Sequence, residues 1–258
     1  MDPSSNPGAV LITGAARRIG AAIAEAMAAD GWYVIIHHHH SVDQAAGLLA
    51  RIEAAGGRGR AVRADLADAE ALAGLLAAAT DGAPPLRCLI NNASLFQYDT
   101  LASMTAETWQ ANHAVNLRAP LFLARDFANN LPSGADGVIV NLLDNKLFAL
   151  NPDFLSYTVA KYALLGATRV LAMELAPRVR VCGIAPGITL PSSNQSEENF
   201  TKAQAMNPLG RGCSPAQIVA ALRFILEAPS LTGETIVIDG GQSLMGLPRD
   251  VAFLSDGD

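Results

Sequence analysis

The chain has 258 residues, half of them hydrophobic, and carries 18 Lys and Arg against 24 Asp and Glu, a net charge of −6. That is ample apolar material for one extended core, and the charge provides no global field to draw in nucleic acid or an anionic membrane surface. Three cysteines, Cys88, Cys182 and Cys213, lack C-x-x-C spacing, so neither a disulfide framework nor a zinc site is indicated and no metal is expected.

The polar, Pro-containing start, residues 1–8, is expected to be disordered. It lacks the basic region and apolar run of a signal peptide, and no stretch of about 18 or more apolar residues follows. A soluble, cytoplasmic protein is expected, with no nucleic-acid or membrane partner. From Ala9 onward, strands are predicted at 9–13, 32–37, 60–64, 87–91, 137–141, 179–184 and 235–238, most of them apolar without alternation. Helical periods are predicted near 18–30, 43–55, 68–80, 105–130, 155–176 and 215–227, each long enough for a right-handed crossover. No linker divides the chain. Residues 1–258 therefore read as a single α/β domain, a doubly wound sheet of about seven parallel strands covered by helices on both faces. Ligands of such a sheet bind at the carboxyl ends of its strands.

The motifs fall at those ends. After the first strand, Thr13-Gly14-Ala15-Ala16-Arg17-Arg18-Ile19-Gly20 runs straight into a helix-forming segment. A Gly-rich turn between strand and helix brings backbone N–H groups and a helix N-terminus to a pyrophosphate. The second strand ends in His37-His38-His39-His40-Ser41, where NAD binding would call for an acid on the adenosine ribose. None stands there. Arg17, the imidazoles and Ser41 supply donors for a 2′-phosphate, so NADP(H) is favoured. Metal binding by the His run is disfavoured, because neighbours on a strand point to opposite faces. The fourth strand leads into Asn91-Asn92-Ala93-Ser94, with Phe96 beyond, a ring placed either for loop packing or to stack on a flat substrate. The fifth ends at Asp144. Tyr157 and Lys161 then lie one helical turn apart on one face, with the lysine expected to lower the phenol's pKa. Such a phenol can give a proton to a carbonyl or imine while a nicotinamide supplies hydride.

Taken together these residues resemble the short-chain dehydrogenase/reductase family over nearly the whole chain, which implies a Rossmann-like fold. The similarity covers the Thr13-Gly14…Gly20 loop, Asp65-Leu66, Asn91-Asn92-Ala93, Asn116, the Tyr157/Lys161 pair, Pro186-Gly187 with Thr189, and Thr232-Gly233 through Gly241. It implies a catalytic set of Asn116, Asp144, Tyr157 and Lys161. Cofactor contacts fall to Gly14, Arg17, Arg18, Ile19 and Gly20, to His39, His40 and Ser41, to Asp65 and Leu66, and to Asn92, Ala93 and Ser94. Tyr157, Lys161, Pro186, Gly187 and Thr189 complete that set.

Two departures narrow the choice: Arg18 replaces the loop's middle glycine, and Asp144 replaces the usual serine thirteen residues before the tyrosine. Both resemble the pteridine reductases and the related bacterial dihydromonapterin reductases, which implies a pterin held by Arg18, Phe96, Asp144 and Tyr157. An ionised aspartate accepts hydrogen bonds but would repel a developing oxyanion, so it suits a pterin with N–H donors better than a simple ketone. A reductase of a carbonyl compound, of 3-oxoacyl or sugar type, is the alternative, and a catalytically idle NADP(H)-binding sensor or scaffold a third. The polar 190–206 segment is expected to be mobile and to cover the pocket. The family resemblance, with apolar Leu121, Phe122, Leu164 and Leu165 on long helices, implies a homo-oligomer, a tetramer by preference.

Overall fold

The computed structural model describes residues 7–191 and 196–254. Its strands are β1 (Ala9–Ile12), β2 (Tyr33–His38), β3 (Arg58–Arg63), β4 (Leu86–Asn91), β5 (Gly137–Leu142), β6 (Val179–Pro186) and β7 (Thr235–Ile238). They form one seven-stranded sheet in the order β3-β2-β1-β4-β5-β6-β7, every pair parallel. This is the doubly wound arrangement, with the order reversing between β1 and β4. The lack of alternation in the strands follows from burial on both sides: Val10 and Ile12 of β1 join one core, Ala9 and Leu11 the other. The first core packs against α1 (Arg18–Ala29), α2 (Val42–Ala54) and α8 (Pro215–Glu227) through Ile23, Leu48 and Leu222. The second packs against α3 (Ala69–Thr80), α5 (Ala119–Asn130) and α6 (Leu155–Glu174) through Leu75, Phe127 and Ala172. Each such buried side chain contributes roughly 1.5–3 kcal/mol, so the sheet is a rigid platform for whatever its carboxyl ends carry.

Four expectations are corrected. The periodic stretch near 105–130 is two helices, α4 (Ala106–His113) and α5, joined by a π-turn at Ala114–Arg118 that contains Asn116. Hydrophobic spacing runs through the turn without a break, which is why it does not show in the sequence, and π-turns recur at functional sites. The 190–206 segment, expected to be mobile, contains a helix: α7 spans Glu197–Ala205, with Ser196 accepting from Asn199 N at its cap and Glu197 and Glu198 in its first turn. Residues 192–195 lie outside the described residues, as do residues 1–6 of the expected disordered start. Gly8, by contrast, is held, its carbonyl accepting from Tyr33 N at 3.0 Å. Finally, Leu164 does not face outward but is buried in a small cluster with Leu143, Leu147 and Ala185. Among the described residues no helix is long and apolar enough to cross a membrane, and no group of three or more His, Cys, Asp or Glu could hold a metal.

Candidate active site

The carboxyl ends of β1, β4, β5 and β6 open into a cavity of about 420 Å³, into which Asp144, Tyr157, Lys161, Phe96 and Arg18 all protrude. Its floor is fixed by side-chain-to-backbone hydrogen bonds at the strand ends. Thr13 Oγ1 accepts from Asn92 N at 3.0 Å and Ala93 N at 2.9 Å, while Asn92 Nδ2 donates to the carbonyls of Thr13 and Gly14 at 2.8 and 3.1 Å. These bonds lock the glycine turn to the small-residue turn after β4. Gly14 has φ +62°, and a Cβ there would meet Ala93 Cα at 2.9 Å, so no other residue fits. Gly14 N donates in turn to His37 Nδ1 at 3.0 Å, and His37 Nε2 bonds the Ala64 carbonyl at 3.2 Å. His37 thus stands under the turn as a neutral, Nε2-protonated acceptor. Burial pushes its pKa down to about 4.

Arg18, at the family's glycine position, keeps the left-handed backbone that glycine would adopt, with φ +58°. Such strain costs on the order of 1–3 kcal/mol and persists where surrounding contacts hold it. Here the guanidinium donates to Pro191 O at 2.7 Å and Leu190 O at 3.4 Å, tying the turn to the segment after β6. Arg17 is exposed at the N-terminus of α1, which has no side-chain cap and no acid in its first turn. That leaves its N–H groups and positive end suited to a pyrophosphate. At the end of β2, His39 is 3.8 Å from Asp65, whose own carboxylate also accepts from Ala67 N at 2.9 Å. His40 and Ser41 stand beside them near the surface. Arg63, exposed and the register partner of His38, joins this group. Pairing of β2 with β3 brings it there, so no local motif announces it. Cationic and hydroxyl donors without a carboxylate at the end of β2 fit a phosphorylated adenosine ribose.

On the reacting side, Tyr157 OH donates to Asp144 Oδ2 at 2.6 Å, and Asp144 Oδ1 accepts from Lys146 N at 2.8 Å. Burial pushes the Asp144 carboxyl above the usual carboxylate range, against the opposing pull of Tyr157, the Lys146 N–H and Lys161. Burial, reinforced by Asp144, raises the Tyr157 phenol well above its ordinary value. The expected lowering of the phenol by Lys161 is therefore not what the geometry produces. The ammonium is aimed at Leu142 O, 2.6 Å away, and lies 5.9 Å from the tyrosine ring centre. Its own pKa is lowered to about 8 by burial, with Asp144 pulling the other way.

Asn116 is completely buried and is not part of the cavity wall. Its Oδ1 accepts from Ser94 Oγ at 3.0 Å and Leu95 N at 3.1 Å, while Nδ2 donates to Leu95 O at 2.8 Å, so it shapes the loop that presents Phe96. Phe96 stacks one face on Phe154, centroids 4.0 Å apart, and meets Tyr157 edge-on at 4.8 Å. Both expected roles of the ring are thus compatible, packing on one face and cavity wall on the other. Leu66 is buried, Ile19 and Pro186 line the cavity or its rim, and Thr189 Oγ1 donates to Gly187 O at 2.9 Å. Gly187 packs on Asp239, whose Cα a Cβ would meet at 2.8 Å, and a Cβ on Gly20 would meet Gly14 O at 2.6 Å. The sequence reading missed Asp99, which is buried and caps α6 just before Tyr157, accepting from Ser156 N at 3.0 Å. Phe154, at the helix start, has φ +55° and no capping side chain of its own, so Asp99 supplies the cap from 57 residues away.

A parallel sheet with a glycine turn after β1 and a tyrosine–lysine pair facing an acid at its carboxyl edge defines a nicotinamide-dependent oxidoreductase of the doubly wound class. Residues 14–243 match the family model described as enoyl-(acyl carrier protein) reductase, and the chain belongs to the short-chain dehydrogenase/reductase family. Among solved structures it is similar to FolM alternative dihydrofolate reductase 1 from Brucella canis, complexed with NADP. That likeness is 42% identical with a TM-score of 0.90, covering 95% of this chain and 97% of that one. The Brucella suis protein, also in complex with NADP, is 43% identical at the same TM-score of 0.90 and the same coverage of 95% and 97%. Among curated proteins, a 3-oxoacyl-[acyl-carrier-protein] reductase from Synechocystis sp. is 32% identical over 90% of this chain and 95% of its own length.

Proposed function

We propose that the protein is an NADPH-dependent reductase of a dihydropterin C=N bond. The observation that carries this reading is the 2.6 Å hydrogen bond from Tyr157 OH to Asp144 Oδ2, which puts a carboxyl where most family members have a serine hydroxyl. The two Brucella neighbours support it, as do the NADP complexes for the cofactor.

NADPH, when bound, supplies the hydride. The N-terminus of α1 would hold the cofactor's pyrophosphate, and Arg17, His39, His40, Ser41 and Arg63 would hold its 2′-phosphate. Lys161, buried and fixed on the Leu142 carbonyl, would offer a positive charge to the cofactor from the cavity wall. Reduction of C=N needs one proton on nitrogen. Of the two acids beside the reacting ring, the phenol is raised far from neutrality, whereas the Asp144 carboxyl is raised toward it. A carboxyl moved that way is the better-matched general acid. In this reading Asp144 takes up a proton from solvent before hydride transfer; the Tyr157 hydroxyl then gives its own proton to the substrate nitrogen and takes up that of the carboxyl, leaving Asp144 ionised. Phe96 offers its free face to the planar ring.

The Synechocystis relative supports a second reading, reduction of a 3-oxoacyl thioester, in which Tyr157 itself protonates the carbonyl oxygen. NADPH oxidation measured on 7,8-dihydropterins and on 3-oxoacyl thioesters tests the choice. Turnover of the pterins with kcat/KM at least tenfold higher is expected, and the reverse ratio overturns the proposal. Self-association belongs to the same reading: Phe122 of α5 and Tyr162, Val170 and Met173 of α6 are exposed apolar side chains suited to a contact between copies of the chain.

A further inference from the structure

The proposed chemistry employs Asp144 and Tyr157 and leaves a second set of charges on the same cavity without a task. Lys146 is only 7% exposed. Its ammonium donates to Asp153 O at 2.5 Å, lies 3.7 Å from Asp250 Oδ2 and sits 5.3 Å above the Phe154 ring. Asp250 belongs to the C-terminal segment, and that segment is fastened down. The buried Asp153 carboxylate accepts from Arg249 Nε and Asp250 N, both at 2.8 Å, and pairs with Arg249 Nη2 at 2.8 Å. Lys146 and Asp250 share the cavity wall with Asp144 and Tyr157.

A buried ion pair is a weak source of stability, because desolvation offsets most of its attraction, and an apolar side chain would fill the space at no such cost. On a cavity wall the balance differs. A ligand that seals the site replaces water around the pair, and a charge-assisted hydrogen bond then counts for more than a neutral one. The pair is a donor beside an acceptor, held in place from two directions. Its complement is a group that presents an acceptor beside a donor on one edge. A pterin's lactam does so, since the ring forces its amide cis and sets the 4-oxo oxygen next to a ring N–H. The amides of an acyl-carrier arm are trans and point N–H and C=O to opposite sides, so they would leave one member of the pair desolvated and unmatched.

We propose that Lys146 and Asp250 are a specificity-determining pair that reads the lactam edge of the substrate, the ammonium donating to the 4-oxo oxygen and the carboxylate accepting from the neighbouring N–H. The assignment rests on the pterin reading above.

The test uses the full chain with saturating NADPH, a 4-oxo-7,8-dihydropterin as substrate, and a 2,4-diaminopteridine, in which an amino donor replaces the 4-oxo acceptor, as competing ligand. Lys146→Met, Asp250→Asn and the double variant are compared with Lys146→Arg, thermal unfolding and the KM for NADPH establishing that each is folded. Loss of one charge-assisted contact corresponds to about tenfold or more in affinity. Lys146→Met should raise the KM of the dihydropterin about tenfold or more and leave that of NADPH in place. It should also collapse the preference for the 4-oxo over the 4-amino ring, a ratio that a merely structural lysine would not move. Lys146→Arg should keep much of that preference, and the double variant, which leaves no lone buried charge, should lose it. If the ratio stays within twofold of wild type in every folded variant while dihydropterin turnover persists, the pair assignment is overturned and the pterin reading stands. Turnover of a 3-oxoacyl thioester with none of any dihydropterin overturns both.

Discussion

The Tyr157 hydroxyl and the Asp144 carboxyl stand 2.6 Å apart in a buried site: burial raises both pKa values, while their contact pushes the phenol further up and partly holds the carboxyl down. If Asp144 delivers the proton, kcat/KM for a dihydropterin should be high while the carboxyl is protonated and fall as pH rises through its raised pKa. That limb should lie above the usual carboxylate range and vanish in Asp144→Asn. A pH–rate profile of NADPH oxidation checks it, and a wild-type profile without the limb would count against the assignment.

Removing the acid entirely is the harsher experiment. Asp144→Ala should lower kcat for pterin reduction by roughly 10²-fold or more, the range for an acid–base group, with the KM for NADPH little changed. Asp144→Ser returns the family's hydroxyl, which can donate to a carbonyl oxygen, so it should lose pterin turnover and gain weak activity on ketones. Near-normal pterin rates in both variants would reduce Asp144 to an ordinary loop acid.

Cofactor choice follows from the charges at the ends of β2 and β3. Arg17→Ala and Arg63→Ala should each weaken NADPH by about tenfold or more, the size of one charge-assisted contact, and change NADH little. Comparison of the Michaelis constants decides it. Equal constants for the two cofactors in the wild type would remove the 2′-phosphate from the argument.

What could be read in advance was whatever is local along the chain. Each strand carries its own apolar run, Gly14 follows its strand directly, and Tyr157 and Lys161 are one turn apart, so sheet, turn and pair were all visible. Contacts that join distant segments were not. Asp99 reaches α6 across 57 residues, Arg63 becomes a neighbour of His38 only through parallel pairing, and Asp250 meets Lys146 only once the C-terminal segment folds back. The π-turn around Asn116 hid inside an unbroken helical pattern, whereas the start of α7 carried a signal that the expectation of a mobile segment passed over: Ser196 followed by two glutamates is an N-terminal signature. The expected effect of Lys161 on the phenol failed for a directional reason, since spacing fixes which face a side chain shares but not which carbonyl its ammonium will choose.

Assembly can be tested through Val170 and Met173, which are 61% and 81% exposed on the outer face of α6. An apolar helix face of this kind is self-complementary across a two-fold axis. Light scattering at micromolar concentration should give a multiple of 26.9 kDa, a tetramer by preference. Met173→Asp should shift the population toward smaller species. A wild-type monomer would refute the assembly.

The last prediction concerns His37, which holds the cofactor turn through Gly14 N at 3.0 Å and the Ala64 carbonyl at 3.2 Å. Its ring must be neutral to accept from Gly14, and burial lowers its folded pKa from 6.5 to about 4. Between those values the unfolded chain binds a proton that the folded chain refuses. Stability therefore rises with pH across this window and is lost as pH falls from about 6.5 toward 4, where the folded state also takes up the proton and the slope levels off. At 1.36 kcal/mol per pK unit the full effect is on the order of 3 kcal/mol. His37→Gln keeps an amide oxygen to accept from Gly14 and an amide N–H to donate to Ala64, but it does not titrate. Urea midpoints at pH 7 and pH 4.5 should therefore fall further apart for the wild type than for His37→Gln. Contributions from His38 and from carboxylates common to both proteins cancel in that difference. Identical pH slopes would mean that His37 is not the titrating prop beneath the turn. A steeper slope in the wild type, accompanied by loss of NADPH affinity only as pH approaches about 4, where the folded ring takes up its proton, would tie the cofactor turn to this one imidazole.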